Sequence, residues 1–336
     1  MSYYPEQLQD SFLSQKKTRK EKKNYFLHIG LFIVTFITTT IAGAEWTTGI
    51  AGPYEIDHLV VGLPYSISIL FILTCHEFGH YFAAMYHKVK TTLPYYIPFP
   101  PIPFFLNFGT MGAVIRTKTP VPTKKAMFDI GVAGPIAGFV ACLIILVYGF
   151  MNIPGEEYIL IIHPDYYSPE YGKGGINLTF GNTLLFSFFK MIFVDSGQFF
   201  PPMSEVYHYP YLCVGWFGLF ITAMNMIPVG QLDGGHIGYT LFGRETHFKI
   251  AVVAFSTLFI LGVLGIIEST LDFYIGFGWS GWLFWAVILY FVVKIEHPPI
   301  HDDTELDFKR KLIGYFSFFI LIISFSPTPF LLTIPA

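Results

Sequence analysis

"ILTCHEFGHY", Ile72 to Tyr81, sets two histidines four residues apart with a glutamate beside the first. Residues four apart share one face of a helix, so His76 and His80 can each aim a ring nitrogen at a single ion. The seventeen residues that lead into the motif, "LVVGLPYSISILFILTC" (Leu59 to Cys75), carry no charge. A helix of that composition belongs in lipid. The stretch therefore predicts a membrane span with a metal-type site inside it, and the rest of the chain has to accommodate both.

The composition agrees with a membrane setting. Of 336 residues, 53% are hydrophobic and only 13% charged, against about 25% charged in soluble domains. The net charge of −3 gives no basic surface for a nucleic acid. The three cysteines, Cys75, Cys142 and Cys213, lie scattered in or beside apolar runs and offer neither a disulfide framework nor a CxxC pair.

Seven apolar runs are long enough to span a bilayer, at roughly 26–44, 59–86, 129–150, 211–228, 249–267, 280–295 and 312–333. A shorter run, Leu184 to Val194, carries Lys190 and suits an interfacial or re-entrant helix. The predicted fold class is an all-α polytopic membrane protein of about seven transmembrane helices with a short β-like cytosolic insertion. Basic residues orient it. The arm before the first run holds Lys16, Lys17, Arg19, Lys20, Lys22 and Lys23, and alternate loops after it hold twelve more, so eighteen of the twenty Lys and Arg fall on one side. Lys173 and Lys190 fall on the other. That bias puts the N-terminus in the cytosol and the C-terminus outside. Ala42-Gly43-Ala44 also has the form of a signal-cleavage site, so residues 1–44 read as either a permanent anchor or a cleaved signal.

The whole chain, 1–336, reads as one membrane domain: a basic arm at 1–25, a core at about 59–245 and C-terminal helices at 249–336. Within the cytosolic 91–127 segment, the proline-rich Thr91 to Phe105 cannot be a membrane helix, and Gly109 to Thr119 has the Gly punctuation and β-branched residues of a strand. The 151–210 loop lies outside and contains the sequon Asn177-Leu178-Thr179.

In soluble zinc proteases the His-Glu-x-x-His spacing supplies two imidazole ligands and a general base. A catalytic zinc needs a third protein ligand. Asp233 is the only acid in "NMIPVGQLDGGH" (Asn225 to His236), and it precedes Arg244 by eleven residues, which sets it at a depth comparable to the two histidines. Pro228, Gly234 and Gly235 break helix there, as a ligand-bearing bend requires. An acid at the centre of a membrane helix costs about 2.5–3.5 kcal/mol. Zinc binding contributes about 10–16 kcal/mol in small peptides, so a shared ion is a sufficient reason for both Glu77 and Asp233. The competing reading makes Asp233 a helix cap near the interface. The His2Asp set also accepts other divalent ions.

At these residues the chain resembles the site-2 protease family of intramembrane zinc metalloproteases. The first family motif is His76-Glu77-Phe78-Gly79-His80. The second, NxxPxxxLDGG, is met by Asn225, Pro228, Leu232, Asp233, Gly234 and Gly235. "GVAGPIAG" (Gly131 to Gly138) is similar as well, and the likeness covers about 70–245. The resemblance implies that His76, His80 and Asp233 hold Zn2+ and that Glu77 is the catalytic base. It also implies single-span membrane proteins as substrates, cut after another protease has trimmed them. Many family members carry a PDZ domain, for which this chain has no room, and "HPPIHDDTELDFKRK" with the last run resembles extensions in the subgroup with chloroplast and cyanobacterial members.

Other motif positions have physical readings. The Asn225 amide can position substrate or an oxyanion, or bond a neighbouring helix. His236 serves as a support to the site or as a plain polar contact. Gly134 and Gly138 form a small-xxx-small packing face. Two other functions compete: a membrane metal-ion transporter using the His/Asp site, and an inactive scaffold that binds membrane helices. Acids and histidines are almost absent from the other spans, which leaves a transporter no pathway.

Overall fold

The computed structural model describes residues 6–52, 55–102, 106–173, 177–271, 276–300, 302 and 304–333, with side chains from residue 25 onwards. The basic side chains of the arm, Pro103–Phe105 of the proline-rich segment, and His301 and Asp303 of the C-terminal segment lie outside the described residues. Ten α-helices carry the described fold: α1 Glu6–Thr48, α2 Ile56–Val61, α3 Leu63–Tyr86, α4 Lys124–Met151, α5 Glu156–Ile162, α6 Leu184–Phe193, α7 Pro210–Met226, α8 Asp233–Leu271, α9 Gly281–Ile288 and α10 Phe308–Ser324. Two antiparallel strand pairs join them: β1 Tyr95–Pro98 with β2 Thr110–Val114, and β3 Asn177–Phe180 with β4 Phe330–Thr333.

Among the described residues four helices are long and apolar enough to cross a membrane: Tyr25–Thr48 of α1, α3, α4 and α8. Leu184–Phe193, Pro210–Met226 and Gly281–Val293 are shorter apolar helices, the last ending in a π-helical turn. The sequence runs and the helices differ at several boundaries. The run at 59–86 is broken at Gly62, where the backbone presses against Thr40 and Ala44 of α1 too closely for any side chain. Pro64 then opens α3. The run at 249–267 belongs to a helix that starts at Asp233 and bends at Gly243, whose φ of +77° only glycine adopts freely. The run at 312–333 stops being helical at Ser324, because Pro327 and Pro329 follow; Phe330 to Thr333 then pair with β3. Asn177, the sequon residue, is in that sheet and bonds its amide to the Gly172 carbonyl.

The 91–127 segment, read from the sequence as cytosolic with a strand at Gly109–Thr119, contains a hairpin. The structure lays the β1–β2 hairpin along α1. The Pro94 carbonyl meets His28 Nδ1 at 2.9 Å, and the Gly109 carbonyl accepts from Thr38 Oγ1 at 2.6 Å. At the tip, Trp46 Nε1 donates to the Asn107 carbonyl and the Asn107 amide donates to Glu45, each at 2.6 Å. From His28 to Trp46 the hairpin follows about 27 Å of helix. Its backbone groups are satisfied because the two strands pair with each other and α1 supplies side-chain partners. Tyr65 and Tyr96 fasten the same hairpin to α3, through the Phe108 carbonyl at 3.1 Å and Thr74 Oγ1 at 2.7 Å.

The core forms around α3, α4 and α7. Trp216, Phe217, Phe180 and Phe330 are buried together, so β3, β4 and α7 share one aromatic cluster. Truncating Trp216 to alanine there costs about 3–5 kcal/mol. Cys142 and Cys213 are buried and all three cysteines are free, as small core residues. At the opposite end of the helices Asp129 of α4 takes two hydrogen bonds from Arg310 of α10, at 2.8 and 2.6 Å, and lies 2.8 Å from His87 Nε2 after α3. The C-terminal helices are thereby tied to the helix that carries the His-Glu-x-x-His motif.

Candidate metal centre

Both histidines sit on the buried face of α3, with His76 and His80 each 7% exposed. The packing that buries them explains "GVAGPIAG". A Cβ on Gly134 would fall on the His80 ring, and one on Gly138 would press against the His76 ring. The small-residue face of α4 is therefore a packing face, as read from the sequence, and what it packs against is the pair of imidazoles. Gly79 faces the Ala133 carbonyl just as closely, so α3 and α4 meet backbone to backbone at this level.

The chain between α7 and α8 brings in the acid. It leaves helix after Met226, turns through Pro228 and Gly230, and re-enters helix at Asp233. The sequence assigned the break partly to Gly234 and Gly235. They lie instead within the first turn of α8, and their missing side chains let that turn sit against the carbonyls of Met226, Val229 and Gly230. Asp233 thus stands at a helix N-terminus, where the aligned peptide dipoles favour a carboxylate.

The three groups converge. Asp233 Oδ2 lies 3.3 Å from His76 Nε2 and 3.4 Å from His80 Nε2, and the two Nε2 atoms are 3.1 Å apart. A tetrahedral ion with bonds of about 2.0–2.1 Å separates its ligand atoms by about 3.3 Å. All three edges match that value. His80 Nδ1 lies 2.7 Å from the Ile130 carbonyl and donates to it, which leaves the Nε2 lone pair facing Asp233 and His76. The donor set, two imidazoles and one carboxylate with room left for a fourth position, fits a zinc-type ion.

Glu77 is 5% exposed, and the backbone of Ile115, the residue just after β2, lies near its carboxylate. The hairpin therefore reaches the carboxylate that the motif singles out. Sequence reading found the strand but not this contact, because neither its depth nor its register is written in local propensity. Asn225 is half-buried in the last turn of α7. Among the described residues no hydrogen bond joins it to His76, Glu77, His80 or Asp233. His236, one turn after Asp233, pairs its Nδ1 with His297 Nε2 at 2.7 Å, a partner from the C-terminal segment that the sequence reading did not single out.

A buried His2Asp cluster flanked by a carboxylate, set between apolar helices, has the donor set of a zinc-type metal centre. The chain belongs to peptidase family M50, the site-2 proteases, whose family model matches residues 64–264. It is 26% identical over 286 residues to the probable zinc metalloprotease EGY2, chloroplastic, of Arabidopsis thaliana, which covers 83% of this chain and 44% of that relative. It is 29% identical over 271 residues to the probable zinc metalloprotease EGY1, chloroplastic, of Oryza sativa subsp. japonica, covering 79% and 40%. The probable zinc metallopeptidase EGY3, chloroplastic, of Arabidopsis thaliana is 26% identical over 258 residues, covering 74% and 39%. The chain spans less than half the length of these relatives. No solved structure matches it.

Proposed function

We propose that the chain is a zinc endopeptidase that cuts peptide bonds in or near the membrane helices of single-span substrates. The observation that carries this reading is the set of three near-equal edges among His76 Nε2, His80 Nε2 and Asp233 Oδ2, with Glu77 next to the first. Those three residues would hold the ion. A bound zinc would lower the pKa of water towards about 7 and polarise a carbonyl. Glu77 takes the proton of the attacking water and passes it to the leaving amine. The Ile115 backbone lies near the Glu77 carboxylate, and the Ile130 carbonyl fixes the His80 ring. Asn225 lies near enough in sequence to the Asp233 turn to donate to a developing oxyanion.

A membrane helix hides its carbonyls in i→i−4 bonds, so the substrate must unwind before attack. The β1–β2 hairpin lies beside the site, and an extended substrate segment adds to it as a further strand. The whole chain works as one membrane domain in this reading.

The orientation follows the basic residues, with the N-terminus cytosolic and the C-terminus outside. Seven spans result from Tyr25–Thr48 of α1, α3, α4, α7, Arg244–Leu271 of α8, Gly281–Val293 and α10. Several cross-links support that count, since each joins segments of the same side. Lys124 N–H bonds Asp302 at 2.7 Å, Arg244 bonds Glu296 at 2.7 Å, and β3 pairs with β4.

The test is Glu77→Gln in the full chain, co-expressed with a single-span candidate substrate. The variant keeps its zinc and stops cutting. Cutting at the unaltered rate by the purified variant overturns the assignment of the base.

A further inference from the structure

About 20 Å along α3 from His76, beyond the helix start at Leu63, a second group of ligating side chains meets. His163 follows α5, while Glu205 and His208 flank the 3-10 turn Val206–His208 that leads into α7. In a 3-10 turn residues three apart eclipse, so Glu205 and His208 face the same way. His208 is fully buried and Glu205 is 4% exposed. The Nε2 atoms of His163 and His208 lie 3.0 Å apart, and Glu205 Oε2 lies 3.6 and 3.5 Å from them.

The cluster has unsatisfied polarity in a defined direction. Glu205 Oε2 is buried with no hydrogen-bond partner, whereas Oε1 accepts from the Tyr171 hydroxyl at 2.9 Å. His208 Nδ1 donates to the Thr47 carbonyl at 3.0 Å, so its Nε2 carries a lone pair towards His163 and Glu205. A buried carboxylate oxygen facing imidazole nitrogens is costly unless a proton or a cation sits between them. The carbonyl behind His208 and the phenol behind Glu205 are the outer partners that metal ligands ordinarily have.

We propose that His163, Glu205 and His208 form a second divalent-metal site, of the zinc class, that pins the 152–209 segment to the C-terminal end of α1. Thr47 belongs to α1, and the Tyr158 hydroxyl, from α5, bonds the His208 carbonyl at 2.9 Å. One ion thus joins α1, α5 and the entry to α7. Two imidazoles and a carboxylate suit zinc, cobalt or nickel better than calcium or magnesium, which prefer oxygen ligands. The site lies where short connecting segments meet α1, so the role proposed for it is structural.

The experiment uses the full chain purified in detergent, with His76→Asn, His80→Asn and Asp233→Asn combined so that the first cluster cannot bind. Co2+ alone is titrated, with metal content and visible absorption as readouts. The expected result is about one Co2+ per chain with the absorption of a low-coordinate N/O site, and a melting temperature raised by a few degrees. Adding His163→Asn, at a partly exposed position, removes the bound Co2+ and the thermal shift while the helical circular dichroism and elution volume stay the same. Glu205→Gln gives the same loss by a second route. No Co2+ in the triple variant, or Co2+ unchanged by His163→Asn, overturns the proposal, whatever becomes of the peptidase reading.

Discussion

Two imidazoles and a carboxylate come together twice in this chain, and the two clusters differ in what surrounds them. His76, His80 and Asp233 come from long helices, and a further carboxylate, Glu77, follows His76 on α3 with the Ile115 backbone near it. His163, Glu205 and His208 come from short connecting segments, and the spare oxygen of Glu205 is taken up by Tyr171. In the first cluster a carboxylate directly follows a ligand on the same helix, whereas the second joins separate short segments. On the two proposals, the same donor atoms would serve chemistry in one place and a staple in the other. What decides is the next residue outward, not the ligand set.

The comparison can be broken most severely at the first cluster. Asp233→Asn removes a ligand, and the purified chain loses the zinc of that site together with all measurable cleavage; metal content by mass spectrometry and a substrate-processing blot check it. Glu77→Gln keeps the metal but lowers cleavage by about 10²–10⁴-fold, the range for a lost general base. If both variants lost zinc equally, Glu77 would be a ligand and the contrast between the clusters would disappear.

Smaller effects sharpen it. Gly134→Ala drives a methyl into the His80 ring, whereas Gly138→Ala only crowds His76. Zinc affinity and activity fall about 10–100-fold in the first and by less in the second, as for disturbed outer partners of a metal ligand. Equal effects would mean that α4 merely packs. Ile115→Pro removes a backbone N–H near Glu77 without touching a ligand, so cleavage slows while zinc content holds. The smallest change belongs to His163→Asn in the otherwise native chain: one metal ion fewer, a melting temperature lower by a few degrees, and cleavage within about twofold.

Much of the first cluster was legible in the sequence because helix geometry is local. Spacing four residues apart puts His76 and His80 on one face whatever the fold, and an apolar run before them places that face in lipid. Asp233 followed from depth counting, since rise per residue is fixed and Arg244 marks the membrane edge. The second cluster escaped because its members lie 42 and 45 residues apart and no periodicity joins His163 to Glu205 and His208. Its only local trace is a Glu-x-x-His, which carries no weight alone.

The hairpin marks the same boundary. Gly punctuation and β-branched residues announced a strand at Gly109–Thr119, and the structure has β2 there. Its place along α1, and its contact with Glu77, depended on Thr38, Glu45 and Trp46 offering partners to carbonyls and amides about 60–70 residues away.

The sequence by itself determined that the chain carries long apolar helices, that one of them presents two histidines on one face with a glutamate beside them, and that an acid opens a later helix. Those are consequences of hydropathy and of the 1.5 Å rise, which act within one segment. Only the tertiary structure decided that a β-hairpin runs beside that helix, that α4 is shaved to glycine where it meets the imidazoles, and that a second cluster forms at the far end. Each of these depends on contacts between segments distant in the chain, where the cost of leaving a buried polar group or a ring without a fitting neighbour selects the arrangement.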